Sequence, residues 1–122
     1  INRDQIHQQL KNLTEHIQLV IQEYLRTDFA SIDKFNEQAK ELAEAYRLLV
    51  IYDFPQRFDE ESISELLRVL KHGPRCGVYA LIVQNTTTQM PHGVEMNILD
   101  PFCEILNVTS DGSICRHEEE TS

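Results

Sequence analysis

Glycine is scarce in this chain. The 122 residues hold four, at positions 73, 77, 93 and 112, and none is followed by lysine. The phosphate-cradling loop G-x-x-x-x-G-K-[ST] is therefore missing, and with it the backbone amides and lysine that grip a nucleotide's phosphates. Cysteine is also sparse: Cys76, Cys103 and Cys115 are odd in number, far apart and contain no CxxC pair. That argues against a zinc site and for a reduced, cytosolic setting. No window approaches the roughly 18 to 20 consecutive apolar residues of a membrane span. The opening "INRDQIHQQL" has no apolar signal-peptide core and no initiator Met, so it reads as an excised segment. Basic residues are outnumbered, 11 against 20 acidic, for a net charge of −9. Nucleic-acid binding runs on Lys and Arg neutralising phosphates, so this is the wrong sign for a chain that grips DNA unaided. Any such contact by a parent protein must come from other regions, or from a local patch that the total hides. The five histidines (His7, His16, His72, His92 and His117) are scattered singly and read as surface residues rather than ligands.

What remains is enough for a core. With 41% hydrophobic and 25% charged residues the chain reads as one small globular domain, or a piece of a larger one. Ile6, Leu10, Leu13, Ile17, Val20, Ile21 and Tyr24 recur at three- and four-residue spacing, predicting an amphipathic helix over residues 2–26. Its stripe serves either its own domain or a partner helix. A second helix starts near Ser31 or Asp33, both good caps, and runs through "KFNEQAKELAEAY" with Phe35, Ala39, Leu42, Ala43 and Tyr46 as its apolar positions.

Between these helices and more helix-like sequence stands "YRLLVIYDFP", residues 46–55. The run Leu48 to Tyr52, rich in β-branched types and stopped by Pro55, reads as a strand buried on both faces. Asp53 then stands at its carboxyl end, where open parallel sheets place ligands, or else it caps the turn. After "PQRFDEES", the residues Asp59, Glu60 and Glu61 put negative charge at the start of a third helix, favourable against its dipole. Ile63, Leu66, Leu67 and Leu70 give that helix its buried stripe. "HGP" at 72–74 ends it with a glycine and a proline stop, His72 serving the helix C-terminus. "GVYALIV" follows as a second buried strand. Strand, helix and strand with short joints predict a βαβ unit of parallel strands and right-handed crossover. Cys76, just before the second strand, reads as a small core residue, since no Cys/His/Asn arrangement accompanies it. "QNTTTQMPHG" is a polar loop, and "PFCEILNVTSDGSICRH" predicts a hairpin around Asp111-Gly112. The final "EEETS" reads as a frayed tail.

Adjacent parallel strands bring Asp53 and the amides Gln84 and Asn85 to one sheet edge. A carboxylate there can hold Mg²⁺ through water, and an amide can orient a water or sense a γ-phosphate. In element order, "SIDKFN" at 31–36, "LLVIYDFP" at 48–55 and "GPRCGVYALIVQN" at 73–85 resemble an FtsK/SpoIIIE-type DNA translocase, an additional-strand P-loop ATPase, in the part after its Walker A motif. The resemblance covers roughly residues 10–90, and "GPRCGVY" is its most distinctive piece.

The resemblance implies an α/β fold, a partial P-loop NTPase-like parallel sheet on a βαβ core. Residues 1–46 would be a helical N-terminal part, 47–90 the Walker B βαβ core, and 91–122 a C-terminal loop and hairpin. It implies further that Asp53 matches the Walker B aspartate, which binds Mg²⁺ through water in a full-length parent. Asn85, with Gln84 beside it, falls opposite the sensor glutamine. Arg75 lies within one position of an arginine that can face a neighbouring subunit's nucleotide. A parent of this kind binds ATP and Mg²⁺ and assembles into a cytoplasmic ring that moves or holds DNA; this chain alone carries neither cofactor. The departure is at Phe54 and Pro55, where the family has a catalytic glutamate. Glu60 and Glu61, beyond the turn, read as serving the helix N-terminus. Two other readings stand beside this one: a non-hydrolysing P-loop-derived scaffold whose first helix recruits a partner, and part of a secretion-system ATPase that moves protein.

Overall fold

The computed structural model describes residues 3–23, 25, 31–39 and 45–116. Helix α1 runs Arg3–Glu23, α2 Ile32–Ala39, strand β1 Arg47–Phe54, helix α3 Glu60–His72 and strand β2 Val78–Gln84; β3 (Leu106–Val108) and β4 (Ile114–Arg116) close the described part. The expected positions Tyr24, Leu42 and Ala43, the side chains of Phe35 and Ala39, and the tail from 117 lie outside the described residues.

β1 and β2 pair in parallel, with Leu48 opposite Tyr79, Val50 opposite Leu81 and Ile51 opposite Ile82. Parallel strands cannot be joined by a tight turn, and α3 makes the crossover. The predicted βαβ unit is present in that sense. The second sheet is the expected hairpin, with Asn107 opposite Cys115 across a turn whose Gly112 has φ 86°.

The core lies on one side of the β1–β2 sheet. Leu10, Ile17 and Val20 of α1 meet Ile63, Leu66 and Val69 of α3, and these helices rest on Ile51, Phe54 and Val78. Ile32 from α2, Phe58 and Leu99 complete the cluster. Alternation along each strand sends the neighbouring side chains the other way. Ile51 is 9% exposed and Phe54 0%, whereas Leu48 is 64%, Tyr52 76% and Leu81 55% exposed. The expectation that both strands are buried on two faces is therefore corrected: the second face is open. The apolar run reported a strand correctly, but two-sided burial needs a second helical layer, and the described helices all contribute to the same core.

The joints are chemically specific. Asp59 is the N-cap of α3: its carboxylate accepts from the Ser62 backbone N–H at 2.9 Å, and the Ser62 hydroxyl accepts from the Asp59 backbone N–H at 2.8 Å. Glu60 and Glu61 fill the first turn, as expected, and Lys71 and His72 the last. Gly73 ends α3 with an ordinary helical φ of −63°, and its need for glycine is spatial. A Cβ there would strike the carbonyl oxygens of Val69 and Val78. The left-handed glycine is Gly77, at φ 75°, which turns the chain from a Pro74–Cys76 3₁₀ turn into β2. Cys76 is fully buried, and burial pushes its thiol up from the ordinary value, in keeping with a packing role.

Asp59 also ties α3 to α1, because His7 Nε2 lies 3.0 Å from Asp59 Oδ2. The Ser62 backbone N–H, assisted by His7 and the Ser62 hydroxyl, holds the Asp59 carboxyl at about 2. A carboxylate depressed on folding contributes its full stability above its unfolded value near 4, and that contribution is lost as pH falls from there through about 2. Because its side chain is 34% exposed, solvent screening limits the effect, and capping energetics set the scale. Asp59→Ala should cost about 1 kcal/mol in urea unfolding at neutral pH, and the gap to wild type should close between roughly pH 4 and pH 2. A pH-independent gap would mean that the charge on Asp59 is not what holds the cap.

Candidate functional site

The carboxyl edge of the β1–β2 sheet is built by a local irregularity in β1. The register runs evenly to Ile51 opposite Ile82 and resumes at Phe54 opposite Gln84, so Tyr52 and Asp53 together face one residue, Val83. This is a bulge, which bends a strand and re-aims its side chains. Asp53 takes the left-handed conformation at φ 57° and is exposed to solvent. Two turns follow at once. The Gln56 N–H donates to Asp53 O at 2.8 Å, and the Phe58 N–H to Pro55 O at 3.0 Å, with a cis Phe54–Pro55 peptide at the start and Arg57 at φ 68°. Beyond the bulge the ladder continues through the Asn85 N–H, which donates to Phe54 O at 2.8 Å.

Three of the four residues singled out from sequence therefore meet: Asp53, Gln84 and Asn85 stand at the same edge of neighbouring parallel strands. Arg75 does not join them. It sits in the 3₁₀ turn before β2, at the amino end of that strand, so the strand's length, roughly 20 Å for seven residues, separates it from the Asp53 edge.

The two amides are already engaged by nearby loops. Gln84 Nε2 donates to Met96 O at 3.3 Å and lies 3.0 Å from Met96 Sδ, pinning the 91–99 segment under the edge. Asn85 Oδ1 accepts from the Thr87 N–H at 3.0 Å and its hydroxyl at 2.6 Å, closing a turn of the next loop. In this arrangement Gln84 Nε2 and Asn85 Oδ1 both organise loops. Sequence periodicity carries no signal for such partners, although Asn-x-Thr is a spacing at which side chain-to-backbone turns form.

The position after Asp53 is decisive for chemistry. Phe54 is completely buried and packs edge-on against Phe58, ring centroids 5.0 Å apart, while Pro55 is buried beside it. Neither can polarise water. The acidic residues beyond the turn are placed elsewhere: Glu61 lies 4.0 Å from His7 on α1, and a Cβ added at Gly93 would come within 3.3 Å of Glu60 Oε1. Next to the edge, the 55–58 turns and residues 88–92 bound an open cleft of about 410 Å³ with Arg57 and His92 on its rim. Arg57 was not foreseen from sequence, because its place depends on the double turn.

Among the described residues no three His, Cys, Asp or Glu side chains come together as a metal site would require. The left-handed glycines Gly77, Gly93 and Gly112 lie in separate turns rather than in one loop that could wrap a phosphate. With one exposed carboxylate and no cradle, these residues by themselves do not fit a magnesium–nucleotide complex.

Asp53 offers a direct test of structural against functional constraint. A left-handed conformation costs a residue with a Cβ about 1–2 kcal/mol, less for Asp, and costs glycine nothing. Asp53→Gly should leave thermal stability unchanged or raise it by up to about 1 kcal/mol, whereas Asp53→Val should lower it by about 1–2 kcal/mol. A clear loss of stability in Asp53→Gly would show that the carboxylate itself holds the turn.

Comparison with protein-family models, with curated proteins and with solved structures finds no match for this chain.

Proposed function

We propose that this chain is the part of an FtsK/SpoIIIE-like motor domain that follows the Walker A loop, and that it is catalytically silent by itself. The observation that carries this reading is the parallel β1–β2 pair with Asp53, Gln84 and Asn85 at one carboxyl edge, the order that family uses for its Walker B and sensor strands. Arg75, at the far edge, suits an arginine offered to a neighbouring subunit of a ring better than one acting beside Asp53. In this reading ATP and Mg²⁺ belong to the assembled parent, whose phosphate cradle lies outside this chain. DNA contacts also belong to other regions, in keeping with a net charge of −9 here. The working compartment is the cytoplasm.

A second reading, a P-loop-derived scaffold that does not hydrolyse ATP, is favoured by one specific observation. The residue after Asp53 is a core phenylalanine, and removing a general base commonly costs about 10²- to 10⁴-fold. A secretion-system motor that moves protein would share the same edge, and the acidic charge suits it.

Calorimetric titration of the chain with Mg-ATP should give no measurable heat of binding. A dissociation constant in the low micromolar range, on the order of −8 kcal/mol, would contradict the absence of a cradle. In the parent, ATP turnover of roughly 1 to 100 per second that Asp53→Ala abolishes would refute the scaffold reading and make Glu60 or Glu61 the candidate for positioning water.

A further inference from the structure

The cleft beside the sheet edge, bounded by residues 55–58 and 88–92, differs in charge from the rest of the surface. The chain has 20 acidic residues, and the groove between α1 and α3 carries Asp4, Glu15, Glu61 and Glu65 on its walls. No Asp or Glu lines this cleft, whereas Arg57 and His92 do. Asp53 and Glu60 stand outside its lining, with Glu60 Oε1 against Gly93. Arg57 and His92 are exposed, and among the described residues they make no ion pair or side-chain hydrogen bond. The same holds for the side-chain amides of Gln56 and Gln89 on the same walls.

The walls select among anions. Phosphate is held by several converging backbone N–H groups, and here the Gln56, Phe58 and Thr88 N–H groups are spent on Asp53 O, Pro55 O and Asn85 O. Pro55 and Pro91 have none to give. A carboxylate needs less, because two parallel N–H groups of one guanidinium match its two oxygens. Most of the remaining lining is apolar: Pro55 and Phe58 are buried, Met90 and Pro91 half-buried. A volume of about 410 Å³ lies towards the small end of ligand sites, which run roughly 300–1,000 Å³. Arg57 is also held left-handed at φ 68°, where glycine is unstrained, so the turn by itself does not account for an arginine.

We propose that this cleft binds a small carboxylate on an apolar body. The carboxylate pairs with Arg57 and accepts a hydrogen bond from His92, and the body lies against Phe58 and Met90. The C-terminal residue of a peptide and a free apolar acid present this same chemistry. The chain's charge of −9 opposes any anion at long range, so binding is weak and is set within a Debye length of roughly 8 Å by the cleft's own groups. The proposal needs neither a nucleotide nor a parent protein, so it stands or falls separately from the motor reading.

The probe is N-acetylphenylalanine, titrated into the isotope-labelled chain while amide chemical shifts are followed by NMR. Amides of the 55–58 and 88–92 segments should shift together, with a dissociation constant of about 1 mM. The uncharged N-acetylphenylalanine amide and inorganic phosphate should each bind at least tenfold more weakly. Arg57→Gly removes the guanidinium and suits the left-handed backbone, so it should weaken N-acetylphenylalanine at least tenfold in a chain that circular dichroism shows to be folded. Arg57→Lys keeps the charge without the fork and should recover only part of that loss. Hydrocinnamate separates the two sources: binding equal to that of N-acetylphenylalanine assigns the cleft to free acids, and weaker binding assigns it to peptide ends. Absence of any shift at ten times the expected dissociation constant would overturn the proposal. So would binding that Arg57→Gly leaves unchanged, or equal binding of the amide or of phosphate.

Discussion

The parallel pairing of β1 and β2 is the constraint on which the rest of the structure depends. Parallel strands need a crossover, and the sequence between them supplies α3. Once α3 lies on the sheet, its apolar stripe of Ile63, Leu66 and Val69 must find cover, and α1 provides it through Leu10, Ile17 and Val20. The Asp59 cap and its contact with His7 fix where the two helices meet. Gly73 and Gly77 allow the chain to turn from α3 into β2 closely enough to restore the register. Each of these local choices follows from bringing two like-directed strands side by side.

The same constraint creates the polar edge. Parallel strands end together, so the residues that terminate two apolar runs become neighbours without any direct sequence signal linking them. Asp53, Gln84 and Asn85 meet for this reason. The bulge at Tyr52 and Asp53 then lets Phe54 return to the core, which removes the next position from any chemistry at the edge. Burial of Phe54 and exposure of Asp53 are two consequences of one irregularity. The proposed motor kinship and the proposed silence of the site both rest on it.

Much of this was legible in the sequence. Three- and four-residue spacing located α1 and α3, a start near Ser31 or Asp33 agrees with α2 beginning at Ile32, and the Asp111-Gly112 pair located the hairpin. What escaped was whatever depends on neighbours far along the chain. An apolar run such as Leu48 to Tyr52 reads alike whether one face is covered or two, so two-sided burial was expected where one side is open. The left-handed turn at Asp53 was hidden because Asp tolerates that conformation without advertising it. The engagement of Gln84 with Met96 and of His7 with Asp59 joins residues that no local pattern connects. The capping box was a local feature that nonetheless went unread: Asp59 and Ser62 stand three residues apart, but the acidic run at 59–61 suggests only favourable charge at the helix start.

The central claim is a sheet with one dry face and one wet face. Solution NMR of the chain with a soluble gadolinium chelate measures this residue by residue. The account predicts strong relaxation enhancement at the side chains of Leu48, Tyr52, Leu81 and Val83, with little at Ile51, Phe54, Leu66 and Val78. Equal protection of both sets would contradict it, because the sheet would then be covered on both faces.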